Sequence, residues 1–521
     1  MVTGHVIRKN EYHDSVFLMR VAKRLSEQKG ILQVAALMGT EKNKTLLEEI
    51  QVRGPEISAA TPSDLIVAVK ADSQEALASV LKNVDQWLNP ELGSGVACAI
   101  RTLDEAVAFQ PHSNLAVISV PGAYAAREAR KALEHGLNVF LFSNNVPLES
   151  EISLKDYARE RGLIVMGPDC GTAIIGGIGI GFANAVRRGP IAVIGASGTG
   201  IQEFTSLVHR MGSGISHAIG VGSRDLSDAV GGLSLLSALD ALESDRQTEI
   251  ITIISKPPGE RTLANLTPEI LQCHKPVVAC FLGLKQMSLL PDLRHRTART
   301  LNDAAAIAVQ MVTGHAPPRF DANSSDIQKL IRREQINKNP DQRYLRGIFA
   351  GGTFCFQAQQ ILQEAGMVVH SNAPLSGNLK LADPMRSEEN TLVDMGADDF
   401  TVGKPHPMID PRLRQERILA EGQDRQVAIL LLDFVLGFNS SPDPAGELVS
   451  AIDEAKSQAR KRGGSLSVVA SICGTEDDPQ RLPYQVKVLE EAGAIVFPSS
   501  AQAAQFSALL IASLSEVVNA K

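Results

Sequence analysis

Two stretches of small residues, one in each half of the chain, stand where an apolar run gives way to a helical pattern. The first is Ile191-Ala-Val-Ile-Gly195-Ala-Ser197-Gly198-Thr199-Gly200, running into Ile201 to Val208. The second is Gly347-Ile-Phe-Ala-Gly351-Gly352-Thr353, running into Phe354 to Leu362. A helix that starts on such residues offers unpaired backbone N–H groups and the positive end of its dipole. That is chemistry for holding a phosphate or a carboxylate. Ser197, Gly198, Thr199, Gly200, Gly351, Gly352 and Thr353 are therefore the candidate phosphate contacts, and two such turns suggest one anion gripped from both sides. Neither turn is a Walker A loop or a full G-x-G-x-x-G. The plainer reading is that glycine there only permits close packing.

Other reactive residue types fall at predicted strand ends, where sites in parallel sheets gather. Arg224, in Gly222-Ser-Arg-Asp225, has the fork to clamp an oxyanion, with pairing to Asp225 as the structural alternative. His217, on the strand before it, is a candidate to polarise a carbonyl or move a proton, or else a core residue. Lys256 follows the strand Glu249 to Ser255 and is either a phosphate contact or a solvated loop lysine. Cys170 closes a third strand without a histidine nearby in sequence, which favours a small buried residue over a nucleophile. The segment Asp394 to Arg412 is polar, proline-pinned and holds Asp398, Asp399, His406 and Asp410. It reads as a binding loop or subunit contact, or as a rigid connection. Asp433 and Glu476-Asp477-Asp478 end later strands, placed to meet a metal or an amide, or to cap helices.

The elements that must position these groups alternate strand and helix. At 521 residues the chain is too long for one core. Residues 1–95 read as a small α+β unit, with a helix from Gln74 capped by Ser73, and as a packing or docking domain. Residues 96–187 carry strands near Leu115, Leu137 and Leu163 and form half a doubly wound sheet; residues 188–316 repeat the plan. Residues 317–342 are polar with flanking prolines and read as a partly helical linker. Residues 343–521 form a third doubly wound unit, with strands from Gly347, Thr391, Val427, Leu466 and Ala494. The fold class is thus multidomain α/β, Rossmann- and flavodoxin-like, with a small N-terminal α+β domain. The formal net charge of −7 and the lack of a basic run argue against nucleic acid and anionic membrane as partners. Six scattered cysteines without a C-x-x-C, no signal peptide and no apolar run of spanning length fit a reduced, cytoplasmic protein with no expected metal.

Longer runs carry a resemblance. Residues about 100–310 resemble the α subunit of succinyl-CoA synthetase through Leu103-Asp-Glu-Ala-Val107, Val117-Ile-Ser-Val-Pro121, Met166-Gly-Pro-Asp-Cys170 and Ala196-Ser-Gly-Thr199. Residues 345–515 resemble the carboxyl-terminal ligase domain of its β subunit, through Gly474-Thr-Glu-Asp477. The whole chain is similar to the FdrA family through Phe182-Ala-Asn-Ala-Val-Arg-Arg-Gly189, Gly222-Ser-Arg-Asp-Leu226 and Gly403-Lys-Pro-His-Pro-Met-Ile-Asp-Pro-Arg412. The synthetase likeness implies that the two glycine turns head paired helices around a phosphoryl group. Three synthetase features are missing: the CoA-gripping glycine loop, the Gly-His-Ala-Gly run of the phosphorylated histidine, and a nucleotide-grasp domain. Gly283-Leu-Lys-Gln-Met-Ser288 stands where that run would be, and His295 lies in the wrong context. The FdrA likeness implies a subunit of oxamate carbamoyltransferase acting with two partner subunits on carbamoyl phosphate and oxamate or oxalurate, without a cofactor, in a larger assembly. His217, Arg224 and Lys256 are then the catalytic candidates, and Asn184, Asp225, His406 and Arg412 the substrate contacts. CoA and a nucleotide enter only on the alternative of an NDP-forming acyl-CoA synthetase; a non-catalytic scaffold or sensor is the other alternative.

Overall fold

A computed structural model describes residues 1–49, 52–88, 100–284, 294–401 and 404–519. Cys98, Gly403 and all of Lys285 to Ser288 lie outside the described residues. The N-terminal unit is an antiparallel sheet of Val2–Arg8, Leu65–Ala71 and Ile31–Met38, with the strand that comes last in sequence in the centre. Asp14 caps helix Ser15–Ser26, and Ser73 caps Gln74–Lys82 by accepting from Ala76 N–H. Both helices bury their apolar stripes (Leu18, Val21, Leu25, Leu77) on one face of that sheet.

Next comes a short parallel sheet of Leu115–Ile118, Asn138–Leu141 and Val165–Met166. Helices Gly122–Glu134 and Leu148–Arg159 pack on one face of it through Ala125, Ala129, Leu133 and Leu154. The two large sheets have seven strands each. In the first, Arg188–Gly195 is flanked by Ile250–Ser255 and Ile215–Gly220, all parallel. Its far edge is an antiparallel hairpin, Thr172–Ile175 and Ile178–Gly181. The expected boundary after residue 187 therefore falls too late: the hairpin belongs to the sheet that follows. Its two-residue turn is Gly176-Gly177, with φ of 60° and 85°, a conformation only glycine adopts freely. In the second large sheet Tyr344–Phe349 lies between Thr391–Asp394 and Val427–Val435, followed by Ser467–Cys473 and Ile495–Phe497.

The stretch 317–342, expected as a linker, is a docked strap. Helix Ser325–Gln335 lays Ile327, Leu330 and the buried Ile331 on the shared core. Beyond it, Lys338 Nζ donates to Ala428 O (2.8 Å), Ser465 O (2.8 Å) and Ser467 Oγ (2.9 Å). Burial pushes its ammonium down to about 7.

The two halves share one apolar core, which includes Ile201 and Phe204 from one side and Phe354, Ala358 and Phe506 from the other. Polar clamps tie the rim. Asn184 Nδ2 donates to Leu436 O (3.0 Å) and Asp478 Oδ2 (2.9 Å), Ala185 N–H donates to Asp478 Oδ1 (2.7 Å), and Thr475 Oγ1 donates to Ala185 O (2.6 Å). Glu203, buried on helix Gly198–Arg210, accepts from Ser500 N–H (2.7 Å) and Oγ (2.6 Å) at the start of helix Ser500–Asn519. Burial pushes its carboxyl up to about 7. Among the described residues no helix is long and apolar enough to cross a membrane.

Candidate functional site

Each glycine turn leaves the carboxyl end of a central strand whose neighbours connect in opposite directions, the place where open parallel sheets form a crevice. Ser197 caps helix Gly198–Arg210, its Oγ accepting from Gly200 N–H at 3.3 Å. The same hydroxyl is hydrogen-bonded to Thr353 Oγ1, in the first turn of helix Gly352–Glu364. A Cβ placed on Gly200 would stand 3.4 Å from Thr353 Cγ2, and one on Gly351 would stand 3.2 Å from Thr199 Cγ2. All seven predicted phosphate contacts thus lie in two turns that touch. The helices meet positive end to positive end, each carrying roughly half an elementary charge. Such a pair of like poles is best satisfied by an anion.

Carboxylates already take part of that field. Asp433 accepts from Ala350 N–H (2.8 Å) and Gly351 N–H (2.8 Å), and Arg414 Nη2 donates to it at 2.9 Å. Of the readings of Asp433, the observed role is the structural one, a carboxylate holding the backbone N–H groups at the start of helix Gly352–Glu364. The N–H groups of Gly352 and Thr353 lie in the first turn, where a helix supplies no acceptor. Asp394 ends the neighbouring strand, and its Oδ1 accepts from Gly396 N–H at 2.9 Å. A Cβ on Gly352 would fall 2.5 Å from Asp394 Oδ2, so the carboxyl lies against the start of the helix. Burial first, and then the charge of Asp433, pushes its pKa up to about 6, against the attraction of Lys256. Lys256 stands with its ammonium 5.3 Å from the Phe356 ring, on the same helix. His406 reaches this corner as well: a Cβ on Gly396 would meet its Nε2 at 2.8 Å. Burial and then the Arg414 charge push its imidazole down to about 4, so it is neutral. On the other side of Ser197 and Gly198, a small cavity is lined by Asp169, Cys170, Thr172 and Gly220.

The remaining predicted residues are placed differently. Arg224 stands at the crevice end of its sheet but is committed to Glu151 Oε2 (2.8 Å) and Val146 O (2.8 Å). Asp225 is fully buried. It accepts from Lys155 Nζ (2.8 Å), Ser234 N–H (3.1 Å) and Leu235 N–H (3.0 Å), which makes it a helix cap and counter-ion, not a substrate contact. Lys155 also binds Glu151 at 2.8 Å. His217 lies toward the amino end of its sheet, opposite the crevice. Its Nδ1 accepts from Gly176 N–H (3.2 Å) and its Nε2 is 3.5 Å from Asp245. Asn184 is spent on the clamp described above, and Arg412 is held by Asp410, its Nε donating to Oδ1 (3.0 Å) and Oδ2 (2.8 Å) and its Nη2 to Oδ2. Cys170 is buried, donates toward Gly220 O and is pushed up to about 12, as a structural thiol would be. Sequence reading missed Asp394 as a site group, although it opens the polar segment singled out there. Its proximity to Gly352 depends on two strands pairing in register, Phe349 with Asp394.

Comparison with known proteins bears on the whole chain. The CoA-ligase family profile matches residues 348–510, the CoA binding domain profile residues 186–270, and the profile described as AllF, heavy metal-associated domain, residues 1–96. The protein is 42% identical to the uncharacterized protein YahF of Escherichia coli (strain K12), over 95% of this chain and 96% of the relative. It is 28% identical to the succinate–CoA ligase [ADP-forming] subunit alpha of Methanothermobacter thermautotrophicus, over 34% of this chain and 60% of that one. A solved structure, the dinucleotide-forming acetyl-coenzyme A synthetase 1 of Ca. Korarchaeum cryptofilum in complex with phosphate and ADP, aligns over 78% of this chain and 84% of that chain. There the identity is 18% and the TM-score 0.28. The heavy-metal description finds no matching donors here. Residues 1–96 contain no cysteine, His13 pairs with Glu11 and His5 with Glu56. Among the described residues no group of three or more His, Cys, Asp or Glu side chains could hold a metal ion.

Proposed function

The chain belongs to the FdrA family, and on that premise we propose that it is a subunit of an oxamate carbamoyltransferase, converting carbamoyl phosphate and oxamate to oxalurate and phosphate. The observation that carries this reading is the meeting of the two glycine turns, Ser197 against Thr353, with both helix dipoles aimed at one point. Such a seat holds the phosphate of a ready-made mixed anhydride and stabilises it as it leaves. The amide nitrogen of oxamate attacks the carbamoyl carbon, the C–O bond to phosphate breaks, and the proton lost by nitrogen ends on phosphate. Lys256, Asp394 and neutral His406 are the groups nearest the second turn for that proton and charge traffic. The match to the AllF domain supports a place in allantoin breakdown.

The test is phosphate release from carbamoyl phosphate, measured with this chain alone and with two partner subunits. Oxamate-dependent release in the mixture is the expected result. The CoA-ligase and CoA binding matches favour a second reading, an NDP-forming acyl-CoA synthetase. It is the better account if the mixture releases no phosphate and instead forms ADP from ATP only when CoA and a carboxylic acid are present.

A further inference from the structure

Asp394 is nine-tenths buried, and among the described residues its Oδ2 takes no hydrogen bond. That oxygen lies against Gly352, at the start of a thirteen-residue helix whose first N–H groups seek an anion. Its backbone is fixed by the side-chain amide of Asn372, which accepts from Asp394 N–H (2.9 Å) and donates to Asp394 O (3.0 Å). An ionised carboxylate in this position would repel a bound oxyanion unless one proton lies between them. We propose that the seat holds its oxyanion through a proton shared with Asp394, so that it takes hydrogen phosphate, the protonated form in which the product leaves, and rejects sulfate. This rests on the two-turn seat being a phosphate site and adds the group that sets its specificity.

Phosphate near neutral pH still carries a P–OH that donates to ionised Asp394. Sulfate has no such proton, and its lone pairs face those of the carboxylate. When the carboxyl is protonated it donates to either ion, and the distinction fades. The charged and titratable groups around Asp394 are Lys256 after one strand, Asp433 on the next, Cys355 on the seat helix, His406 and Arg414 from the proline-pinned segment, and Asp399, which shares Asn372. Across the range of interest His406, pushed down to about 4, is neutral, the Cys355 thiol, pushed up by burial, is neutral as well, and Asp433 is tied to Arg414 and to the Ala350 and Gly351 N–H groups. The switch between the two regimes therefore follows Asp394.

The experiment measures stabilisation of the full-length protein against heat by inorganic phosphate and by sulfate, at matched ionic strength, near pH 8 and near pH 5. One charge-assisted hydrogen bond exchanged for a repulsion predicts roughly 50-fold tighter binding of phosphate than of sulfate near pH 8. The preference should shrink to within a few-fold near pH 5. Asp394→Asn, whose amide donates to either ion, is expected to bind both alike at each pH. Equal binding of the two ions by the unaltered protein near pH 8 overturns the proposal and leaves the phosphate seat standing. Binding of neither ion overturns the seat itself, and the proposal with it. The pH comparison on the unaltered protein needs no variant to fold.

Discussion

Replacing Glu203 by glutamine tests the joint between the two halves. The carboxyl is buried and receives both the N–H and the hydroxyl of Ser500, and burial pushes it from an ordinary value of 4.5 to about 7. Because the folded value lies above the unfolded one, the folded state binds the proton more tightly. The stability tied to this group is complete below the unfolded value and is lost as pH rises through about 7. The gap between the two values is worth about 3 kcal/mol. Glutamine keeps an acceptor for Ser500 N–H, offers its NH2 group to Ser500 Oγ and never ionises. The variant should therefore match the parent to within about 1 kcal/mol near pH 5, one neutral hydrogen bond being at stake. Near pH 8.5 it should be the more stable by about 2–3 kcal/mol. Urea unfolding followed by circular dichroism across that range gives the answer. A difference between variant and parent that does not change with pH, or a parent more stable at the alkaline end, would refute the argument.

Other outcomes follow from single contacts. Lys155→Met leaves buried Asp225 without its ammonium and Glu151 with Arg224 as its remaining cation, and should cost about 3–5 kcal/mol, read as a lower urea midpoint. Gly352→Ala drives a methyl into Asp394 Oδ2 at 2.5 Å, whereas Gly200→Ala asks only a small give of the Ile254 methyl at 3.3 Å and meets Ser197 Oγ and Thr353 Cγ2 at 3.4 Å. Oxamate-dependent phosphate release should fall at least tenfold in the first, on the order of 1.4 kcal/mol, and stay within about twofold in the second. Lys338→Met removes the strap's three bonds to Ala428 O, Ser465 O and Ser467 Oγ, of which Ser465 O keeps Gln342 Nε2, at about 1–3 kcal/mol, and should speed proteolysis within residues 317–342. His217→Gln, far from the crevice, should leave turnover unchanged.

The parallel sheets were legible because their strands are unbroken apolar runs such as Ile429 to Leu432 and Val277 to Phe281, separated by helices of regular period. Glycine turns at two strand ends were legible for the same local reason. What could not be read locally was which strand ends point the same way. His217 and Arg224 lie seven positions apart in one run, yet the strand between them carries one to the amino end of the sheet and the other to the crevice. Asp225 looked like a partner for its neighbour Arg224; a lysine seventy residues upstream claims it. The hairpin at Gly176-Gly177 had a clear turn signal, but its sheet is decided by pairing with a strand forty residues on. The strap carries a helical stripe, and its polar composition concealed that Lys338 is buried against carbonyl groups of the last sheet.

The strap also changes what the contact between the halves must achieve. Two subunits that meet from solution have to repay lost translational freedom, and they do so with a large apolar interface. Two halves joined by a docked strap of 26 residues face each other at a local concentration on the order of millimolar before any contact forms. Their rim can then be made of groups that are poor glue but good rulers: Asn184 on Asp478, Thr475 on Ala185, Glu203 on Ser500. Polar pairs of this kind hold alignment to a fraction of an ångström, and alignment is what two facing helix ends require. Cutting the strap should accordingly harm register before it harms association.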